Sequence, residues 1–216
     1  GRAEADAAGL NRQQDAMDRI TAIYGSPRRD GNTAALLRQA VAGARKQGLG
    51  VTEIFLRDLK MSPCLEIYGC TRDGECAIRD DFQAVRDAML SADGIMLASP
   101  IFFYSVSAQV KTLMDRFQSQ WVKKHWIEKR PMGQTLAKRK GLFLSAGATR
   151  GRKLFDGALL SVKYFFDVLD TELWDYRLYR QLDFADDIQR HPEYLAEAFQ
   201  SGAALARALQ AASPSD

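Results

Sequence analysis

The chain has 216 residues, 46% of them hydrophobic and 26% charged, with a net charge of +3 at pH 7. That balance belongs to a folded globular chain long enough to bury its own core, and it excludes overall disorder and a coiled coil. With only two histidines, His125 and His191, a three-histidine metal site is excluded, and three cysteines crowded between positions 64 and 76 argue against a secreted disulfide framework.

Residues 1–16 are polar and alanine-rich and have no apolar stretch of the kind a signal peptide needs. They are read as a tail or expression remnant, with Met17 a candidate natural start and residues 17–216 a single domain in a cytoplasmic setting. Residues 20–24 (ITAIY) form a short β-prone run ended by Gly25. Residues 33–47 carry Leu36, Leu37, Ala40, Val41 and Ala44 on one face of a helix, which Gly48 and Gly50 stop. Residues 51–56 are the next strand, and 81–90 a helix with Phe82, Val85 and Met89 inward. Residues 94–98 (GIMLA) are continuously apolar, as in a strand buried on both faces. They open the longest charge-free stretch, 94–110, but Pro100 and three serines interrupt it, and it falls short of the ~20 apolar residues of a membrane span.

Val106, Val110, Leu113, Met114 and Phe117 then fall on one helical stripe. Residues 141–144 are a fourth strand, 154–169 a helix and 172–179 a fifth strand. A last helix starts at Pro192, where the missing N–H does no harm, and runs to about Gln210. Five strands alternating with five helices predict an α/β fold with a parallel sheet covered on both faces. Ligands of such sheets bind beyond the carboxyl ends of the strands.

Charge is unevenly spread. Residues 111–153 hold 12 basic and 2 acidic groups, whereas 154–216 hold 5 and 11. The basic stretch reads as a solvated surface, a site for phosphorylated ligands or a surface for an acidic partner. No nucleic-acid motif accompanies it, and no nucleic-acid partner is expected.

Three segments follow strands. GSPRRDGNT (25–33) is small and polar and leads into a helix. Its backbone N–H groups, Ser26, Asn32 and Thr33, and the charge of Arg28 suit a bound phosphate. It is neither a Walker A loop nor a GxGxxG fingerprint, and a plain capped turn is the alternative, with Asn32 or Thr33 as cap. SPIFFYS (99–105) sets aromatics at the sheet mouth, either to line a flat heteroaromatic ligand or as core. SAGATRG (145–151) is small enough for close backbone approach, or an ordinary loop.

GSPRRDGNT, SPIFFYSVSAQVKTLMDRF and SAGATRG together resemble the flavodoxin-like NADPH-dependent FMN reductase superfamily, near its iron–sulfur flavoprotein branch, over residues 20–169. The resemblance implies a flavodoxin-like three-layer sandwich with sheet order 2-1-3-4-5. It implies bound FMN, with NAD(P)H as co-substrate and a small-molecule electron acceptor such as a quinone or free flavin. It implies a homodimer or homotetramer with no membrane partner. Carried over, Ser26, Arg28, Asn32 and Thr33 hold the phosphate. Pro100, Ile101, Phe102, Phe103, Tyr104, Ser105, Ala146 and Gly147 flank the flavin ring. Phe102 stands where relatives often have Tyr, and Tyr104 where Gly is common.

No catalytic side chain is assigned, because the flavin carries the chemistry. A flavodoxin-type electron carrier and a flavin-free interaction module remain as alternatives. Iron–sulfur flavoproteins carry C-x2-C-x2-C-x5-C where this chain has Cys64, Ile67, Cys70 and Cys76. Ile67 cannot ligate, so no iron–sulfur cluster is expected. A relic loop near the flavin, a three-cysteine cluster with an outside ligand and a redox-active thiol pair are the readings left for this segment. The aromatics of 121–130 (WVKKHWIEKR) read as a flavin cap, a pocket wall or a dimer contact.

Overall fold

The computed structural model describes residues 18–132 and 139–212; the expected tail and Met17 lie outside the described residues. Strands β1 (Asp18–Tyr24), β2 (Gly50–Phe55), β3 (Gly94–Pro100), β4 (Arg139–Gly147) and β5 (Thr171–Arg180) form one sheet. Its order is β2-β1-β3-β4-β5, with every neighbouring pair parallel. Helices α1 (Asn32–Lys46) and α6 (Pro192–Ala211) cover one face, and α2 (Phe82–Ser91), α3 (Ala108–Arg116) and α5 (Asp156–Val168) the other. The α/β sandwich, its parallel sheet and its strand order are those expected. No helix among the described residues is long and apolar enough to cross a membrane.

The apolar patterns account for this arrangement. The first six residues of β3 are all buried, because helices pack on both of its faces. Leu36, Leu37, Ala40, Val41 and Ala44 face the sheet from α1, and Phe82, Val85 and Met89 from α2. Each large side chain so buried stabilises the fold by about 1.5–3 kcal/mol. Helices α1 and α6 cross at backbone contact. A Cβ on Gly202 would lie 1.9 Å from the Ala40 carbonyl oxygen, and one on Gly43 2.0 Å from that of Phe199.

Two elements differ from their sequence patterns. The stripe from Val106 to Phe117 is not one uninterrupted helix. Ser107 caps α3 by accepting from the Val110 N–H at 3.3 Å, and the chain turns at Phe117 into α4 (Gln118–Val122) and a π-helical turn (Lys123–Ile127). Strand β4 runs on through Ser145, Ala146 and Gly147, because β5 is long enough to pair with all three. Those residues are strand, not loop; the loop after β4 begins at Ala148.

A buried ion pair ties the π-helical turn to the corner between α5 and β5. Lys124, with its side chain 1% exposed, donates from Nζ to the Asp167 carbonyl at 2.6 Å and pairs with Asp170 at 2.9 Å. Arg130 meets the same carboxylate through two bonds of 2.6 and 2.8 Å. Burial pushes the Asp170 carboxyl up, but the bonds from Arg130 and Lys124 outweigh it and hold the group below its ordinary range. Asp170 has a φ of 51°, a left-handed conformation that Asn also tolerates. Asp170→Asn is expected to leave the Lys124 ammonium without its counter-charge and to cost about 3 kcal/mol at neutral pH. A depressed carboxylate stabilises above its unfolded pKa and ceases to as pH falls through the folded one. The gap between parent and variant should therefore close in strong acid, as read by urea unfolding at both pH values.

Candidate functional site at the carboxyl edge of the sheet

All five strands end at one edge, and buried serines join the ends of β1, β3 and β4. Ser107 donates from Oγ to the Gly25 carbonyl at 2.5 Å, and its N–H donates to Ser99 Oγ at 2.9 Å. Ser145 Oγ donates to the Ser99 carbonyl at 2.7 Å. The Gly25 N–H reaches the Ala98 carbonyl at 2.8 Å, and a Cβ on Gly25 would stand 2.6 Å from that oxygen, so only glycine fits there. This lattice fixes where the loops after β1, β3 and β4 leave the sheet.

The loop after β1 ends at an uncapped helix. Gly31 is the N-cap of α1 and contributes no side-chain bond, which leaves the first N–H groups of the helix pointing outward without intrahelical partners. The alternative of a cap from Asn32 does not form, because its amide is turned elsewhere. Its Nδ2 donates to the Phe184 carbonyl at 2.8 Å, and its Oδ1 accepts from the Ile188 N–H at 3.1 Å. Ser26 Oγ accepts from the Arg28 N–H at 3.0 Å, closing the turn. Neither the Arg28 guanidinium nor the Thr33 hydroxyl has a partner among the described residues, and Thr33 is buried.

These groups open on a cleft of about 180 Å³. The structure brings together there Ser26, Arg28, Asn32, Thr33, Pro100, Ile101, Phe102, Ala146 and Gly147. It does not bring Phe103, Tyr104 or Ser105 to the cleft. Phe102 and Ser105 exchange two backbone bonds of 3.0 Å, so Phe103 and Tyr104 form the tip of a tight turn beyond the rim. Both tip residues have positive φ, 48° and 61°, and Phe103 is wholly exposed. Glycine suits that geometry and aromatic residues strain it.

Sequence reasoning missed Leu182 and Asp183, which close the cleft from the loop after β5. That loop is folded by the Asp187 carboxylate, which accepts from the N–H groups of Phe184 and Asp183 at 2.9 and 2.8 Å and is thereby held below the usual carboxylate range. Only its Asp-rich, turn-like composition after a strand hinted at a role.

Much of the basic stretch is engaged within the fold. Arg116 and Lys124 are buried, Arg130 pairs with Asp170, Lys111 with Asp115 and Lys140 with Glu172, and Arg139 donates to the Leu90 carbonyl. The side chains of Arg150, Arg152 and Lys153, just past the cleft-lining Gly147, have no partner among the described residues.

Arg116 also organises the cysteine segment. From one buried side chain it donates to the Ser62 carbonyl at 2.8 Å, the Asp80 carboxylate at 2.7 Å, the Ile78 carbonyl at 2.9 Å and Cys76 Sγ at 3.3 Å. Burial raises the Asp80 pKa, but the bonds from Arg116 and from the Ser62 and Phe82 N–H groups bring it below its ordinary value. The neck of the loop closes where the Lys60 N–H meets Asp81 at 2.7 Å. The aromatics of α4 and the π-helical turn stand over this loop and not over the cleft.

The sheet order and the open cleft at the point where it reverses define a flavodoxin-like α/β protein. Residues 19–175 match the family model described as NADPH-dependent FMN reductase, and the chain belongs to that family. It is 42% identical over 98 residues to an iron-sulfur flavoprotein of Methanocaldococcus jannaschii, covering 45% of this chain and 51% of that protein. The chain thus spans about half the length of that curated relative. Among solved structures, a flavone reductase superposes with a TM-score of 0.63 at 23% identity over 88% of this chain and 62% of its own. An FMN-dependent NADH-azoreductase from Bacillus anthracis, in complex with FMN, gives 0.65 at 15% identity over 88% of this chain and 100% of its own. At these identities the likeness concerns the fold alone.

Proposed function

We propose that this chain is an FMN-binding oxidoreductase that takes electrons from NAD(P)H and delivers them to a small acceptor, a quinone or free flavin. The observation that carries the reading is the uncapped start of α1 beside Arg28 and Thr33: donors converge there with nothing among the described residues to receive them. FMN, when bound, supplies the two-electron chemistry between nicotinamide and acceptor. The α1 N–H groups, Ser26, Arg28 and Thr33 hold its phosphate, with Asn32 contributing its backbone N–H while its amide keeps the loop after β5 in place.

The cleft has room for the phosphate and the sugar-like chain, and Asp183 offers that chain a hydroxyl acceptor. Pro100, Ile101, Phe102, Ala146 and Gly147 set the near wall for the ring, and Phe103, Tyr104 and Ser105 shape its outer approach. Arg150, Arg152 and Lys153 neutralise the phosphates of an arriving nucleotide. Exposed Leu160 and Tyr164 on α5 suit a homodimer or homotetramer of a cytoplasmic protein.

An iron–sulfur cluster does not fit. A [4Fe–4S] cluster takes four thiolates; Cys64, Cys70 and Cys76 supply three, and Ile67 cannot ligate. No group of three or more His, Cys, Asp or Glu among the described residues is set to hold a metal ion.

Arg28→Ala with Thr33→Val should weaken FMN binding by about 2–4 kcal/mol in a fluorescence titration. Unchanged affinity would overturn the phosphate placement. Anaerobic stopped-flow mixing with NADH and NADPH should bleach the flavin band, and neutralising Arg150, Arg152 and Lys153 together should raise KM while FMN content holds. Bleaching slower than about 0.01 s⁻¹ with both nucleotides, far below ordinary turnover, would favour the electron-carrier reading. Iron and sulfide analysis after anaerobic purification should find less than about one iron per chain, where a [4Fe–4S] protein gives about four.

A further inference from the structure

Beside the cysteine segment lies a second cavity, of about 620 Å³, within the range of small-molecule sites. Its walls come from the loop after β2 and from α3, α4 and the π-helical turn. Trp121 and Trp126 stand edge to face at 5.6 Å on one side. Ile67 and Tyr68 face it from the loop, more than half exposed.

Two features of this cavity restrict what fits it. Four sulfur atoms line it, those of Cys64, Cys70, Cys76 and Met114. Thioether and thiol sulfur favour aromatic rings over saturated chains, as do the two indoles. The charged groups among its walls are both carboxylates, Glu66 and Asp115; no lysine or arginine lines it among the described residues. Two cations beside it are already engaged: Lys111 bonds the wall residue Asp115 at 2.6 Å, and Arg116 is buried in its four contacts with the loop. A phosphate, sulfonate or carboxylate would find no cation among the described wall residues and would face the Glu66 carboxylate. The cleft at α1 has the opposite character.

We propose that this cavity binds a planar, uncharged aromatic molecule. Arg116 is its positioning residue: by tying Ser62, Cys76, Ile78 and Asp80 to α3, it holds the loop wall in place with no metal. The proposal rests on no part of the flavin reading.

Isothermal titration of the full chain, run both with and without saturating FMN, tests it with a matched pair of probes. 2-Naphthol is neutral at pH 7 and naphthalene-2-sulfonate is anionic; neither reacts with thiols. The expected result is saturable one-to-one binding of 2-naphthol, with the sulfonate at least about tenfold weaker for want of a cation. Trp126→Ala should weaken 2-naphthol at least about fivefold, the scale of one lost aromatic wall. Ile67→Glu, at an exposed position that leaves the core untouched, should weaken it likewise. No saturable binding, equal binding of the two probes, or affinity unchanged in both variants would overturn the proposal. A titration of the apoprotein with FMN alone reads the flavin proposal separately.

Discussion

A helix start that carries several unpartnered N–H groups must be capped, hydrated or bound to an anion, and the start of α1 is not capped by its own side chains. The arrangement around it follows from that condition. Asn32, the residue best suited to the cap, reaches across to the loop after β5 and bonds both a carbonyl and an N–H there. The loop so held brings Leu182 and Asp183 to the cleft. The same amide therefore leaves the donors open and builds the wall opposite them. A residue that capped α1 would occupy those donors and release that wall.

Charge in this chain has to be read by its partners, not by its count. The stretch 111–153 is strongly basic in sequence, yet its cations serve largely to pin turns to the sheet. Lys124 and Arg130 converge on Asp170. Arg116 holds two carbonyls, a carboxylate and a thiol. Burial of a guanidinium is costly unless its donors are matched, and the four bonds of Arg116 match them. Among the described residues, Arg28 and the short run at Arg150, Arg152 and Lys153 carry positive charge without a carboxylate partner.

The strands and helices were legible because each buries a face with its own period: β3 is apolar throughout, and α1 and α2 are striped. The loop after β1 was legible as a strand-to-helix turn because small polar residues preceded a helix. The destination of the Asn32 amide was not, since its partners lie more than 150 positions away. Nor was the end of β4, where Ser145, Ala146 and Gly147 read as a loop by composition and are strand by pairing with β5. Of the aromatic turn, Pro100, Ile101 and Phe102 line the cleft. Its tip points away because Phe102 and Ser105 pair with one another, a local backbone choice that leaves Phe103 and Tyr104 in left-handed conformations no pattern of aromatics announces.

The cysteine segment shows how a loop keeps its shape when a ligand set is incomplete. A cluster loop draws its order from four bonds to metal. Here Ile67 stands in one ligand position, and the bonds that close the loop run instead to Arg116 and between Lys60, Ser62, Asp80 and Asp81. These contacts hold the two ends of the segment; its middle, from Leu65 to Tyr68, stays exposed and includes two residues with positive φ, Glu66 and Tyr68. Apolar side chains held out in this way across from Trp126 cannot be explained by core packing, because they contribute little burial to the fold. Their exposure suits the aromatic ligand proposed for this cavity, whose described walls carry carboxylates and no cation.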